Sequence, residues 1–426
     1  MRCVSTRGRA DPVSLCEALS GGLAPDGGLY VPERLPRLAS VAWPRPRSLA
    51  EVAAALLQPF FADEPLASEL DAICAEAFAF PAPLTALSER DFLLELHHGP
   101  TAAFKDFAAR FLAAAWARLK PPDEITVLVA TSGDTGAAVA AAFHHRPGFR
   151  VAVLYPEGRI APRQAAHLEG FGGNVLTLRV KGTFDDCQRL VKAALAAPRA
   201  AKRLTSANSI SLGRLLPQIA YFAQAALSHW QGHRQPLSFV VPTGNLGNAL
   251  ACALARAMGL PVGAIVLAVN ANRVLADFFA GAPYRPQPAK PTLANAMDVG
   301  APSNFERLRH WFPDERALRA AFAAESISDE EIRATIAATW RRHGRAVCPH
   351  TAVGLAALAR RRAAGDERPF AVAATADPAK FAEIIEPLIG APLPVPEPLR
   401  AAWSRPPRAM AIEASEAALA AALAAQ

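Results

Sequence analysis

The sequence has no run approaching the ~18 consecutive apolar residues of a membrane span, which argues against a membrane partner. Its opening residues, Met1-Arg2-Cys3-Val4-Ser5-Thr6-Arg7, lack the apolar stretch of a secretory signal. Cysteine is sparse, at positions 3, 16, 74, 187, 252 and 348, with no CxxC pair. That spacing excludes a zinc ribbon and a disulfide framework, and it fits reduced thiols in a cytoplasmic protein. Charge of one sign is also scarce: 45 basic residues stand against 38 acidic, a net +7. The run Arg360-Arg361-Arg362 reads as a solvated helix face, so no nucleic-acid partner is expected. The small positive excess suits anionic small molecules. Three signatures are missing: the GxSxG elbow, HExxH and GxxxxGK[ST]. His144-His145 and the isolated histidines read as surface or hydrogen-bonded structural residues, so no metal is expected.

What is present is apolar. Hydrophobic residues make up 52% of 426 and charged residues 19%, enough for a large core and two or three domains. The first ninety or so residues carry helical patches at 13–19, 49–57 and 66–80, broken by Pro and Gly. They read as a separate, mainly helical unit, with a short strand after Gly27-Gly28. Beyond it, apolar runs at 125–130, 151–155, 175–180, 239–242, 265–269 and 370–375 each precede a Gly-rich or polar turn and an Ala/Leu-rich stretch. Runs without alternation predict strands buried on both faces. The fold class is therefore α/β: two three-layer α/β/α lobes with mostly parallel sheets and ligands at the strands' carboxyl ends. Residues 281–295 are Pro-rich and read as a surface excursion. The Ala-rich last thirty residues read as a terminal helix.

Five segments could carry chemistry. Thr131-Ser132-Gly133-Asp134-Thr135-Gly136 lies between a strand and a helix, where free N–H groups and the helix dipole favour an anion; the alternative is an ordinary capped turn. Thr243-Gly244-Asn245-Leu246-Gly247-Asn248 has the wrong spacing for dinucleotide binding and suits a small phosphate cradle. In His98-Gly99-Pro100-Thr101-Ala102-Ala103-Phe104-Lys105-Asp106-Phe107 the periodicity starts a helix near Thr101, with Lys105 in its first turn. The helix dipole and desolvation there both favour a neutral amine, as a Schiff-base lysine requires; a snorkelling surface lysine is the alternative. Asn208, Ser209 and Arg214 could grip a phosphate or carboxylate, or Ser209 or Ser211 could cap a helix. Thr375 ends a strand, facing a ligand crevice or capping the next helix.

Taken together, these segments resemble the threonine synthases, a fold-type-II family dependent on pyridoxal phosphate (PLP). The resemblance covers about residues 5–390. It includes Pro25-Asp26-Gly27-Gly28-Leu29-Tyr30-Val31-Pro32, His98-Gly99-Pro100-Thr101, Phe104-Lys105-Asp106-Phe107, Ser206-Ala207-Asn208-Ser209-Ile210, Ala294-Asn295-Ala296-Met297-Asp298-Val299-Gly300, Pro349-His350-Thr351-Ala352 and Pro378-Ala379-Lys380-Phe381. It implies that Lys105 is catalytic and bonds PLP. It implies that Gly244, Asn245, Leu246, Gly247 and Asn248 cradle the cofactor phosphate. Thr375 would face the pyridine nitrogen and Asp134 the phenolic oxygen. Ser132 and Thr135 would hold the substrate carboxylate, and Asn208, Ser209 and Arg214 the phosphate of O-phospho-L-homoserine. The implied reaction is γ-elimination of phosphate followed by β-addition of water, giving L-threonine.

Four positions depart from the family pattern: Ala161, Ser211, Cys348 and Asp377. They leave open a related phospho-lyase or dehydratase releasing 2-oxobutyrate, or a non-catalytic protein that kept the fold. The implied division is an N-terminal unit at 1–92, a smaller lobe with the lysine at 93–232, a larger lobe with the phosphate loop at 233–395, and a tail at 396–426. Whether the chain is a monomer or a homodimer is not legible in the sequence.

Overall fold

The computed structural model describes residues 1–38, 48–131, 133–196 and 203–425. Three sheets organise them. A small antiparallel sheet joins Arg2–Ser5 to Val13–Ser14 and Tyr30–Pro32. A six-stranded sheet runs in the order Ala323–Ser326, Val262–Val269, Leu237–Pro242, Phe370–Ala374, Asp91–Glu95, Leu84–Ala86. It is parallel except for the last, antiparallel pair. A five-stranded sheet runs Met410–Glu413, Val175–Lys181, Phe149–Pro156, Ile125–Ala130, Arg203–Ser206, parallel throughout.

The central strands bury every residue. Ile125–Ala130 and Leu237–Pro242 are covered on both faces, as their unbroken apolar runs predict. All six apolar runs read from the sequence are strands. Helices cover each sheet, and the helix Lys105–Arg118 packs between Leu70–Ala77 and Asp134–Phe143. It does so through Phe107, Phe111, Leu112 and Trp116, each almost fully buried. Burial of one such side chain contributes roughly 1.5–3 kcal/mol.

Several boundaries differ from the sequence reading. The helix expected from Thr101 begins at Lys105. Asp106 draws the preceding turn in, accepting from Thr101 N at 2.8 Å and Thr101 Oγ1 at 2.6 Å. Ala102 accordingly takes a left-handed φ of 52°. The sequence interval 1–92 and the sheets also divide differently. Leu84–Ala86 and Asp91–Glu95 leave the N-terminal unit and pair in the six-stranded sheet. The tail is not one helix: Glu397–Trp403, the strand Met410–Glu413 and Glu416–Ala424 succeed one another. The Pro-rich stretch 281–295 is exposed over much of its length but sends Gln287 and Ala289 to the wall of the main cavity.

Five loops bearing the candidate residues leave the carboxyl ends of Asp91–Glu95, Ile125–Ala130, Arg203–Ser206, Leu237–Pro242 and Phe370–Ala374. Parallel sheets place such ends together, where ligands bind in this class of fold. Among the described residues no helix is long and apolar enough to cross a membrane.

Candidate active site

A cavity of about 300 Å³ collects these loops. Lys105, Asp134, Thr135, Asn208, Ser209, Arg214, Gly244, Asn245, Leu246, Gly247, Asn248 and Thr375 all line it. Ser132 lies outside the described residues.

Lys105 is the first residue of its helix, where the dipole disfavours a cation. Its Nζ sits 5.7 Å from the Phe104 ring centre. Burial pushes the amine down to about 8; Asp134 opposes this, while Arg214 and Lys380 reinforce it. Phe104 N donates to Thr375 O at 2.9 Å, which ties the lysine's segment to the strand end carrying Thr375.

Asp134 opens the helix Asp134–Phe143. The turn before it is built by Thr131, whose Oγ1 accepts from Gly133 N and Gly136 N, each at 2.9 Å. Gly133 has φ 137°, and a Cβ there would lie 2.6 Å from Gln164 Nε2. Gln164 instead donates to Asp134 Oδ1 at 3.0 Å, and Lys380 Nζ lies 2.5 Å from the same oxygen. Burial resists ionisation of Asp134, but Lys380 and then Lys105 hold its carboxyl far below the usual carboxylate range. The hydroxyl-rich turn is therefore built round a buried carboxylate paired with Lys380.

The loop at 243–248 ends on Leu246, left-handed at φ 62°, and the helix Gly247–Ala257 follows. A Cβ on Gly244 would lie 2.7 Å from Met297 Cα. Only a glycine lets the cradle and the 294–300 segment touch here. Asn245 Nδ2 donates to Ser209 Oγ, and Asn304 Nδ2 donates to Asn245 O at 3.0 Å and Ser209 O at 3.3 Å. The segment carrying Asn208, Ser209 and Arg214 therefore abuts the 243–248 loop. Arg214 is buried and donates through Nη1 to Ala207 O at 2.6 Å. Its Nε has no partner among the described residues, nor do Asn208 Oδ1 and Asn248 Nδ2. Buried polar atoms of this kind cost about 1–3 kcal/mol each unless something binds them.

The departures resolve differently. Asp377 turns away from the cavity and caps the short helix Pro378–Phe381, accepting from Ala379 N at 2.8 Å. Cys348 caps Pro349–Ala363, its Sγ accepting from Thr351 N at 3.4 Å. Ala161 precedes Pro162–Glu169 and makes no side-chain cap bond. Ser211 is fully buried but does not line the cavity.

Sequence reasoning assigned no role to four residues that matter here. Lys380 is buried against Asp134 and donates to Thr101 O at 2.9 Å. His350 lines the cavity, and its Nε2 accepts from Ala296 N at 3.1 Å. Burial pushes the imidazole down to about 4 against the pull of Asp134, with Lys105 and Lys380 lowering it further. It is neutral, and with Nε2 accepting, its proton sits on Nδ1. Asp298 accepts from Thr292 N, Thr292 Oγ1, Asn270 Nδ2 and Asn272 Nδ2, fixing the segment over Gly244. Arg307 is fully buried and donates to Tyr30 O at 3.0 Å, Asn304 Oδ1 at 2.8 Å and Ile210 O at 2.7 Å. It couples the N-terminal unit to the Asn208–Arg214 segment. Apart from Arg307, these residues sat inside motifs already noticed; a charged or imidazole residue within an apolar stretch was the available signal.

Known proteins define the class. Residues 81–374 match the family described as pyridoxal-phosphate dependent enzyme, and PLP is the cofactor. The flanks narrow this: residues 2–78 match a threonine synthase N terminus and residues 351–423 a threonine synthase C-terminal region. A threonine synthase of Haemophilus influenzae is 38% identical over 391 residues, 91% of each chain. That of Escherichia coli is 36% identical over 403 residues, covering 94% of each chain. The crystal structure of the Escherichia coli enzyme superposes with TM-score 0.91 at 34% identity over 100% of both chains. A PLP-bound threonine synthase from Brucella melitensis gives 0.87 at 33% over 98% of each. The chain belongs to the threonine synthase family of PLP-dependent lyases.

The residues present fit that cofactor. A depressed lysine amine, a helix N-terminus behind Gly244 and Gly247, and unpartnered buried donors face one cavity.

Proposed function

We propose that the chain converts O-phospho-L-homoserine and water to L-threonine and phosphate, in the cytoplasm. The observation that carries this reading is the bond between Asn245 and Ser209. It joins two anion-accepting sets, 243–248 and 208–214, at the wall of a cavity that also holds Lys105. One set suits the phosphate of the cofactor and the other that of the substrate.

In this reading Gly244, Asn245, Leu246, Gly247 and Asn248 hold the cofactor phosphate, Thr375 meets the pyridine nitrogen and Asp134 lies on the phenolic side. Bound PLP supplies the electron sink for negative charge at the substrate α-carbon. Lys105 takes the α-proton of the substrate and returns protons later in the sequence, and an amine poised near neutrality suits both directions. Arg214, Asn208 and Ser209 hold the substrate phosphate until the Cγ–O bond breaks. Ser132 and Thr135 hold the carboxylate. Water then adds its hydroxyl at the β-carbon. His350 offers a neutral N–H beside Asp134. The functional division follows the sheets: a five-stranded lobe bearing Asp134 and Arg214, and a six-stranded lobe bearing the cofactor phosphate loop and Thr375.

Among the departures that left altered chemistry open, Asp377 is engaged in a helix cap and does not line the cavity, which supports Thr375 as the group at the pyridine nitrogen. The test is a product assay of the purified holoprotein with O-phospho-L-homoserine. Threonine and phosphate in equal amounts are expected. Phosphate with 2-oxobutyrate and no threonine would overturn the proposal.

A further inference from the structure

Behind the cofactor wall is a second cavity of about 410 Å³, bordered by Glu95, His97, Arg345, Cys348 and Asp377. One ligand atom each of Glu95, His97 and His98 lies within 4.8 Å of the others. His98 Nε2 is 2.9 Å from Glu95 Oε2, and His97 Nδ1 is 3.6 Å from Asp377 Oδ2. We propose that Glu95, His97 and His98 form a binding site for a divalent transition metal ion of the zinc class, with water as the fourth ligand and Asp377 as an outer partner of His97.

The geometry fits the ion. With metal–ligand bonds of about 2.0–2.1 Å, a tetrahedral site places its donors roughly 3.3 Å apart. His98 Nε2 and Glu95 Oε2 are 2.9 Å apart and the three donors lie within 4.8 Å of one another, so the ion would part the first pair and draw the third donor in. Two imidazoles with one carboxylate are borderline donors, which suit zinc better than magnesium or calcium.

The surrounding bonds leave the right atoms free. Arg345 Nη1 and Thr85 Oγ1 both hold Glu95 Oε1, each at 2.7 Å, which turns Oε2 toward the histidines. Ala379 N holds Asp377 Oδ1, leaving Oδ2 toward His97. Outer partners of this kind orient metal ligands.

The ion would stiffen the segment leading to Lys105 where it adjoins the strand end that carries Thr375. Residues 95–98 lead to Lys105, and 375–377 carry Thr375; Leu96 N–Ala374 O and Asp377 N–Ala102 O already join them, at 2.9 and 3.0 Å.

The test uses the full-chain holoprotein, stripped with EDTA and titrated with ZnCl₂ by calorimetry, with metal content measured after gel filtration. About one zinc per chain is expected, at a micromolar Kd or tighter, with a rise in Tm. His97→Ala and His98→Ala should each weaken uptake by about tenfold or more. His97→Phe serves as the packed alternative, with cofactor absorbance as the check on folding. Absence of saturable uptake, or equal uptake by wild type and the folded variants, would overturn the proposal.

Discussion

Lys380 Nζ lies 2.5 Å from Asp134 Oδ1, and both side chains are buried. The two come from the sequences following strands of different sheets, so one ion pair holds the cavity's two sides together. Removing one partner leaves an uncompensated buried charge, which costs about 3–5 kcal/mol. Lys380→Met should lower the urea midpoint accordingly. The double variant with Asp134→Asn should lose less than the two single losses added together. Additive losses would show that the pair is not coupled.

A second expectation concerns pH. Burial pushes the Lys105 amine down to about 8, and only the neutral amine of a Schiff-base lysine attacks a carbonyl. Uptake of PLP by apoprotein, followed by its visible absorbance, should rise about tenfold per pH unit well below 8 and level off above it. Asp134 is the charge that raises this pKa, so Asp134→Asn should move the profile to lower pH. A shift to higher pH would contradict the assignment.

Gly244→Ala probes the cradle. The added Cβ meets backbone, 2.7 Å from Met297 Cα and 2.8 Å from Met297 O, and backbone yields less readily than a flexible side chain. We expect the Kd for PLP to rise about tenfold or more, equivalent to ~1.4 kcal/mol, by equilibrium dialysis. Unchanged affinity would mean that the 294–300 segment moves aside freely.

Ser211→Ala should be benign. Ser211 Oγ is buried, lies outside the cavity lining and has no partner among the described residues. Removing it deletes a desolvated hydroxyl and no hydrogen bond. The expected outcome is unchanged kcat/KM and stability equal to wild type or up to about 1 kcal/mol greater. A large rise in KM would place the hydroxyl on the substrate.

The strand ends were legible because each buried strand is a continuous apolar run followed by Gly and hydroxyl residues. Lys105, Asp134 and Gly244 stood out for the same reason: they break an apolar pattern at a βα turn. The sheet edges were not legible. Leu84–Ala86 and Met410–Glu413 are short, and their partners are chosen by long-range packing. Lys380 was overlooked because a lysine one turn past a Pro resembles an ordinary surface residue; only the buried carboxylate from another loop distinguishes it. Asp377 was ambiguous because a helix cap and a cofactor contact require the same side chain, and only direction separates them.

The C-terminal strand Met410–Glu413 forms one edge of the five-stranded sheet, and Phe370–Ala374 lies between Asp91–Glu95 and Leu237–Pro242 in the other. During translation, neither lobe can therefore close as its own residues emerge. The early strand at 91–95 must wait for a neighbour nearly three hundred residues downstream. Such non-local pairing is slow and leaves strand edges open in the meantime. The nascent chain is thus exposed to aggregation until its last hundred residues leave the ribosome, and chaperone engagement should fall on that interval.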